Sequence, residues 1–253
     1  MSERLVVGLG PDGVLTVILN RPDKRNAIDS EMVSALSAEL ERAELDQDVA
    51  VVVIRGAGKD FCAGADLAEL LASVDQTLQQ NNADAARLGA VFTSLRSLPK
   101  PVVAVVHGRA LAGGCGLAGA CDMVLAHEDA VFGYPEIQRG FVPAMVMAML
   151  TRSVGEKVAF DLVATGRLLS ASAAMDIGLV SRVVGAASFD EEVAGIVGQL
   201  ASSSPTALAL IKKQLHELEG RSFDDAIALG AKVNAVARST PDFKEAVSRF
   251  LKK

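Results

Sequence analysis

Two glycine-rich segments have the residue pattern best suited to chemistry. They are Phe61-Cys62-Ala63-Gly64-Ala65-Asp66 and Ala112-Gly113-Gly114-Cys115-Gly116. Each follows a buried-strand pattern and leads into a helical one. Small residues let the backbone come close to a ligand, and free N–H groups near a helix start attract an anionic oxygen. One N–H from each segment, aimed at a single oxygen, makes an oxyanion hole. The same glycines equally suit plain tight packing, and the residues alone leave both readings open.

Glu136 is the candidate proton carrier. It stands in Phe132-Gly133-Tyr134-Pro135-Glu136-Ile137, an acid in an aromatic and aliphatic stretch beyond the second glycine segment. Apolar surroundings raise a carboxyl pKa, which suits the group to accept and return a proton. Other chemistries find less support. His107, His127 and His216 are scattered and are read as structural. No serine occupies a GxSxG elbow, and no HExxH or cysteine-pair spacing predicts a metal site. Gly114 to Gly119 matches GxGxxG, but the preceding strand pattern ends near Val106. The position about 20 residues further on, where a dinucleotide fold keeps its acid, offers only Glu136 and Arg139 in a proline-containing loop. A nicotinamide site is therefore not expected. No Lys-Ser or Lys-Thr follows the glycines, so neither is a nucleotide phosphate loop.

These residues need elements to position them. Two apolar runs, Leu5 to Leu9 and Val14 to Leu19, flank Gly10-Pro11-Asp12-Gly13 and predict a β-hairpin. Ser30 to Leu45 carries Met32, Leu36, Leu40 and Ala43 at helical spacing. Ala50 to Ile54 and Val102 to Val106 are continuous apolar runs and predict buried strands, with a further strand at Met123 to Ala126. Gly56 to Gly64 is expected to be a loop, and Gly108 to Gly119 is a glycine-rich segment with a loop at Ala112 to Gly116. Asp66-Leu67-Ala68-Glu69 has the form of a capping box. Residues 75 to 98 predict a helix stopped by Pro99 and Pro101. A short strand is expected near Val131 and another at Leu179 to Val184. Beyond about residue 143 helices dominate, with starts at Ser204-Pro205, Ser222 and Thr240-Pro241. The expected class is α/β to about residue 185, then helices only.

Composition sets the outer limits. Of 253 residues, 50% are hydrophobic, 22% charged and only 4% aromatic, with 22 glycines. That is too apolar for a disordered chain and long enough for a large core. Mean hydropathy is +0.32. Yet the longest clean apolar run, Val142 to Leu150, is about half a membrane span, so no membrane segment is expected. Ser2-Glu3-Arg4, followed by a strand-like run broken at Gly8, does not have the form of a signal peptide. Cys62, Cys115 and Cys121 are an odd set without ligand spacing, which predicts free thiols and a cytoplasmic location. A net charge of −6 argues against nucleic acid as a partner.

In their order and spacing these residues resemble the crotonase superfamily, that is, the enoyl-CoA hydratase/isomerase family. The pieces are Asn20-Arg21-Pro22 with Asn26-Ala27-Ile28, Gly56 to Leu67, Lys100-Pro101-Val102 through Gly116, Asp122, Phe132 to Gly140, Thr165-Gly166-Arg167 and Ala174 to Val183. The resemblance covers essentially the whole chain. It implies a spiral of ββα units over residues 1–190 and a helical oligomerisation region over 191–253, in a homotrimer or homohexamer. It implies an acyl-CoA thioester as substrate and no cofactor, coenzyme A being part of the substrate. By the same resemblance the thioester carbonyl is polarised by the N–H groups of Ala65 and Gly113, and Glu136 is the catalytic acid and base. Arg25, Asn26, Ala27, Ala63 and Asp66 match the cradle for the coenzyme A portion. Lys24, Arg25 and, from a neighbouring subunit, Lys244 or Lys252 would meet its phosphates. Asp66 also has the sequence position of a helix cap. Gly116, Tyr134 and Phe141 would line the acyl end, with Phe141 to Met145 as bulkier apolar walls.

The chain departs from standard members of that family at one position. Hydratases resembling it carry two glutamates; one matches Glu136 and the other falls at Gly116. One carboxylate suffices to move a double bond, because it can take a proton from one carbon and return it two carbons along. Some hydratases of branched glutaconyl-type esters also keep only the later glutamate, so hydration stays open beside isomerisation. Two further readings remain: a non-catalytic acyl-CoA-binding protein on the same scaffold, and a specialised branch such as a decarboxylase.

Overall fold

Alternation at the amino terminus produces a hairpin of β1 (Leu5–Leu9) and β2 (Val14–Leu19), paired antiparallel from Leu5 opposite Leu19 to Leu9 opposite Leu15. In a computed structural model, which describes residues 3–252, this hairpin forms one edge of a six-stranded sheet. Met1, Ser2 and Lys253, the ends of the two expected regions, lie outside the described residues. The sheet continues with β3 (Val51–Gly56), β4 (Val102–Val106), β6 (Met123–His127) and β9 (Arg182–Val184), each parallel to its neighbour from β2 onward. Strands covered on both faces need apolar residues at every position, and β4, Val-Val-Ala-Val-Val, is buried throughout. Strand alternation sends Val51, Val53, Val103 and Val105 into one core and Val52, Ile54, Val102 and Ala104 into another.

A second, three-stranded sheet holds β5 (Arg109–Leu111), β7 (Val131–Gly133) and β8 (Leu168–Ser170). The chain advances by repeated turns: a strand in the large sheet, a step in the small one, then a helix. The first turn is β3, a single bridge from Cys62 to Ala110, then α2 (Leu67–Ala72) and α3 (Leu78–Ser97). The second is β4, β5 and α4 (Gly113–Gly119). The third is β6, β7, a 3-10 turn at Pro135–Arg139, then α5 (Met147–Val154) and α6 (Glu156–Thr165). This is the spiral of ββα units that the resemblance implied. One face of α1 (Ser30–Leu45) packs on it, with Met32, Leu36, Leu40 and Ala43 buried as its spacing predicted.

Several local expectations change. The loop expected at Ala112 to Gly116 is mostly the start of α4, and the glycine-rich segment before it holds β5; its glycines disfavour both by propensity, and pairing and packing impose them. The strand expected at Leu179 to Val184 shrinks to β9, after α7 (Ala171–Asp176), and β8 was not foreseen. Asp66 caps α2, accepting from Ala68 N–H at 2.8 Å, but Glu69 completes no capping box. It accepts instead from Ser30 N–H and Oγ across the loop. The true box is Thr77 with Gln80, opening α3.

Four helices close the chain: α8 (Phe189–Ala201), α9 (Pro205–Glu217), α10 (Phe223–Ser239) and α11 (Pro241–Leu251). Phe189, Val193 and Val197 of α8 pack on the sheet beside Val51, Val53 and Leu125. Helix α9 is pinned by Lys212, whose buried ammonium donates to the carbonyls of Leu95 (2.8 Å) and Lys100 (3.1 Å) and pairs with Asp122 (2.8 Å). Burial lowers the Lys212 pKa, and the partner carboxylate opposes that shift. No buried residue is found on α10 or α11. No single described helix is long and apolar enough to cross a membrane.

Candidate active site

Three short strips lie side by side where successive turns of the spiral leave the large sheet. The middle strip is residues 61–66. On one flank Ala63 N–H donates to Arg25 C=O (3.0 Å), Ile28 N–H to Gly64 C=O (2.8 Å) and Asp66 N–H to Ile28 C=O (2.9 Å). On the other, Phe61 N–H donates to His107 C=O, Cys62 N–H to Arg109 C=O, and Leu111 N–H to Cys62 C=O. Ile28 makes both bonds of its bridge to residue 65, so the alternation of the strip turns Ala65 N–H away from it. That N–H has no hydrogen-bond acceptor among the described residues, and neither does Gly113 N–H.

Gly64 lets these two amides approach. It has φ +95°, and a Cβ there would stand 2.7 Å from Ala112 Cβ and 3.1 Å from Gly113 N. A Cβ on Gly113 would stand 3.7 Å from Ala65 N, so both backbones border one small space. Ala112 supplies the sharp turn into α4 with φ +53° and ψ −123°. This conformation is unfavourable for a residue with a Cβ and persists only where the surroundings impose it. Here Ala112 N–H donates to Gly133 C=O at 2.8 Å, which ties the second strip to the third turn of the spiral. Gly114 completes the fit, because a Cβ there would meet Cys62 C=O at 2.2 Å. Gly114 and Gly116 of the GxGxxG match thus serve close packing of α4, while the unpaired amide belongs to Gly113, just before the match.

Asn26 holds the first strip. It lies in the left-handed region at φ +55°, which asparagine tolerates better than most residues. Its Nδ2 donates to the carbonyls of Ala57, Asp60 and Phe61, and its Oδ1 accepts from Arg21 N–H. Its own N–H and C=O are bonded to Arg21 C=O and the Cys62 thiol. Every polar group of Asn26 therefore serves the fold, and its contribution to a ligand site is through placement. Asn26→Ala strands buried carbonyls and will lower stability by about 2 kcal/mol, read by urea denaturation; a change below about 0.5 kcal/mol would contradict this role.

Arg21 extends the same frame. One guanidinium donates to Ala27 C=O (2.7 Å) and pairs with Asp29 (3.2 Å), the N-cap of α1, and with Asp66 (2.8 Å), the N-cap of α2. The bond from Arg21 holds the Asp66 carboxyl below its ordinary range. Asp66 is thus an ionised cap with both oxygens engaged. Arg25 is exposed, lies at φ +50° and leaves its side chain 3.8 Å from Asp60.

Glu136 sits in the 3-10 turn after β7. The residue is 8% exposed, and its buried Oε2 has no hydrogen-bond partner. Burial raises its carboxyl pKa, only partly offset by its own N–H and by Arg139. Tyr134, two residues earlier, is buried with its hydroxyl beside the Cys115 thiol of α4. Phe141 is half-exposed, and its N–H donates to Glu136 C=O. The structure therefore brings Ala65 and Gly113 together and joins Glu136 to them through Gly133 and Ala112. Burial pushes the Cys62 and Cys115 thiols up to about 12, which keeps them protonated and poor nucleophiles. His107 meets Gly58 C=O, His127 packs edge-on against Phe189, and burial lowers the pKa of His216 near Lys212. Among the described residues no group of three His, Cys, Asp or Glu side chains could hold a metal ion. Sequence reasoning quoted Ala112 and Arg21 within motifs but gave neither a role: one is defined by its dihedral angle, the other by the two helix caps it joins.

Comparison with known proteins places this geometry. A family model described as enoyl-CoA hydratase/isomerase matches residues 10–253. The chain is 42% identical over 240 residues to a putative enoyl-CoA hydratase of Thermus thermophilus, covering 95% of each chain. It is 36% identical to the 2,3-dehydroadipyl-CoA hydratase of Escherichia coli, over 95% of this chain and 92% of that one. Among solved structures, an enoyl-CoA hydratase of Mycobacterium smegmatis superposes with a TM-score of 0.94 at 33% identity, over 98% of this chain and 96% of that one.

Proposed function

Because the chain belongs to the enoyl-CoA hydratase/isomerase family, we propose that it moves the double bond of an enoyl-CoA through a thioester enolate, with Glu136 as the only proton carrier. The observation that carries this reading is a buried acid with an unpartnered oxygen on the turn tied to two unpaired backbone N–H groups. Ala65 and Gly113 would donate to the thioester oxygen as negative charge develops there. Each such donor is worth about 2.7–4 kcal/mol in the transition state. The Glu136 carboxylate takes a proton from C2 of a 3-enoyl thioester. The C2–H electron pair becomes the C1–C2 double bond of a dienolate that keeps its C3–C4 double bond, and the carbonyl π pair moves onto the held oxygen. The C3–C4 double-bond pair then takes the proton back from the carboxylic acid at C4, the C1–C2 double bond shifts to C2–C3, and the charge on oxygen re-forms the carbonyl of the 2-enoyl thioester. Nothing is added or lost, and Glu136 ends as it began. The raised carboxyl pKa suits both halves of this transfer.

Hydration is the second reading, favoured by the names of the relatives. A direct assay separates the two. A cis-3-enoyl-CoA should gain the absorbance of a conjugated enoyl thioester when the purified protein is added. Loss of that absorbance from a trans-2-enoyl-CoA, with 3-hydroxyacyl-CoA detected by mass spectrometry, would replace isomerisation with hydration. Binding of CoA esters without turnover of either would mark a non-catalytic binding protein. The exposed Ile227, Val236, Phe243 and Val247 on α10 and α11 suit contact between copies in a homotrimer or homohexamer, as the family resemblance implies.

A further inference from the structure

Gly116 lies one helical turn beyond Gly113, on the same face of α4. Its φ lies outside the left-handed region, so no turn requires a glycine there. What requires it is space. A Cβ at 116 would stand 2.7 Å from Val146 Cγ2, 3.4 Å from Val146 Cγ1 and 3.2 Å from Phe92 Cζ. Val146 and Phe92 are both buried, and neither is the free end of a flexible chain. The adjoining Met145 also meets α3, its Sδ 3.4 Å from a Cβ built on Gly89. The apolar filling is therefore backed by a packed helix and has little room to retreat.

We propose that Val146, backed by Phe92, is the residue that holds this site to a single acid. Its methyl groups occupy the volume into which any side chain at 116 would project. They make that flank of the site hydrocarbon in place of a second polar group. The inference rests on the single-acid reading of the function, yet the steric part can be judged without it. Val146 acts here as a determinant of reaction type, since it reaches the chemistry only by what it excludes.

A double-mutant cycle on the full chain tests the steric part. Gly116→Ala alone should lower the folding equilibrium constant about tenfold or more, because it overpacks a filled core. In a Val146→Ala background the same change should raise it about two- to fivefold, because a helix interior favours alanine over glycine. An equal effect of Gly116→Ala in both backgrounds would overturn the proposal. Activity provides the second arm. G116E/V146G should hydrate a trans-2-enoyl-CoA at least about tenfold faster than G116E alone, with the water oxygen bonding C3 and a proton ending on C2. If G116E alone matches the double variant, Val146 is not the determinant. Failure of the functional reading looks different: wild type would then show no Glu136-dependent turnover, whatever the folding cycle gives.

Discussion

Glu136→Gln should reduce enoyl-CoA turnover by about 10²–10⁴-fold while leaving acyl-CoA affinity nearly unchanged. The amide keeps the shape and loses only the ability to carry a proton. Steady-state rates and calorimetric binding of a CoA ester check the two halves. Retained turnover would remove Glu136 from the chemistry, and lost affinity would make it a binding group. The same variant carries a pH signature. Burial raises the folded-state pKa of Glu136 above its unfolded value, so between those values the folded chain binds more protons. Stability contributed by this group is present below the unfolded pKa and is lost as pH rises through the folded one. Wild type should therefore lose stability relative to Glu136→Gln as pH climbs from the ordinary glutamate range upward, then run parallel to it. Melting temperatures across that window read the slope. In catalysis the ionised form is needed first, so kcat/KM should fall on the acid side at a pH above the ordinary glutamate pKa.

Gly113→Pro should lower turnover at least about 100-fold, the cost of one lost donor at a developing oxyanion. Gly113 begins α4, the helical position where proline is best tolerated, since its N–H has no intrahelical partner. Gly113→Ala serves as the folding control. Its Cβ would meet only ordinary contacts of 3.6 Å to Gly64 Cα and 3.7 Å to Ala65 N, so the alanine variant should melt close to wild type. A folded Gly113→Pro protein with unchanged kcat would exclude this amide as a donor. A fall in kcat with KM preserved is the expected split, because the donor acts on the transition state more than on bound substrate.

What could be read in advance follows from the range of the forces involved. Helix α1 was legible from Ser30 to Leu45 because spacing and local capping by Asp29 agree. Helices α9 and α11 were announced by Ser204-Pro205 and Thr240-Pro241, and both caps are made. Strands β3 and β4 were legible because parallel strands buried on both faces are apolar at every position. By contrast β5 and β8 are three residues each and exist through pairing with distant chain, β8 with β7, and β5 with β7 and the strip at Cys62. Helix α4 is Gly-Gly-Cys-Gly-Leu-Ala-Gly, which intrinsic propensity would reject. In the site, Glu136 was visible as an acid in an apolar stretch. The pairing of Ala65 with Gly113 was left even by the residues and was drawn from resemblance. Asn26 was drawn into the coenzyme A cradle by resemblance, and its side chain holds the loops; Asp66 was also read as a helix cap, and that cap is made. The filling of the space over Gly116 by Val146 was invisible, since thirty positions of chain separate them and no local pattern connects the two.

The order of the spiral also divides labour. The first turn brings the amide of Ala65, the second the amide of Gly113, and the third the carboxyl of Glu136. On the proposed function, the grip on the carbonyl and the handling of protons are written in different stretches of chain. An ancestor could rewrite its acids in the second and third turns without disturbing the hydrogen bonds that place the first. Inheritance on such a scaffold can conserve an intermediate while exchanging its fate.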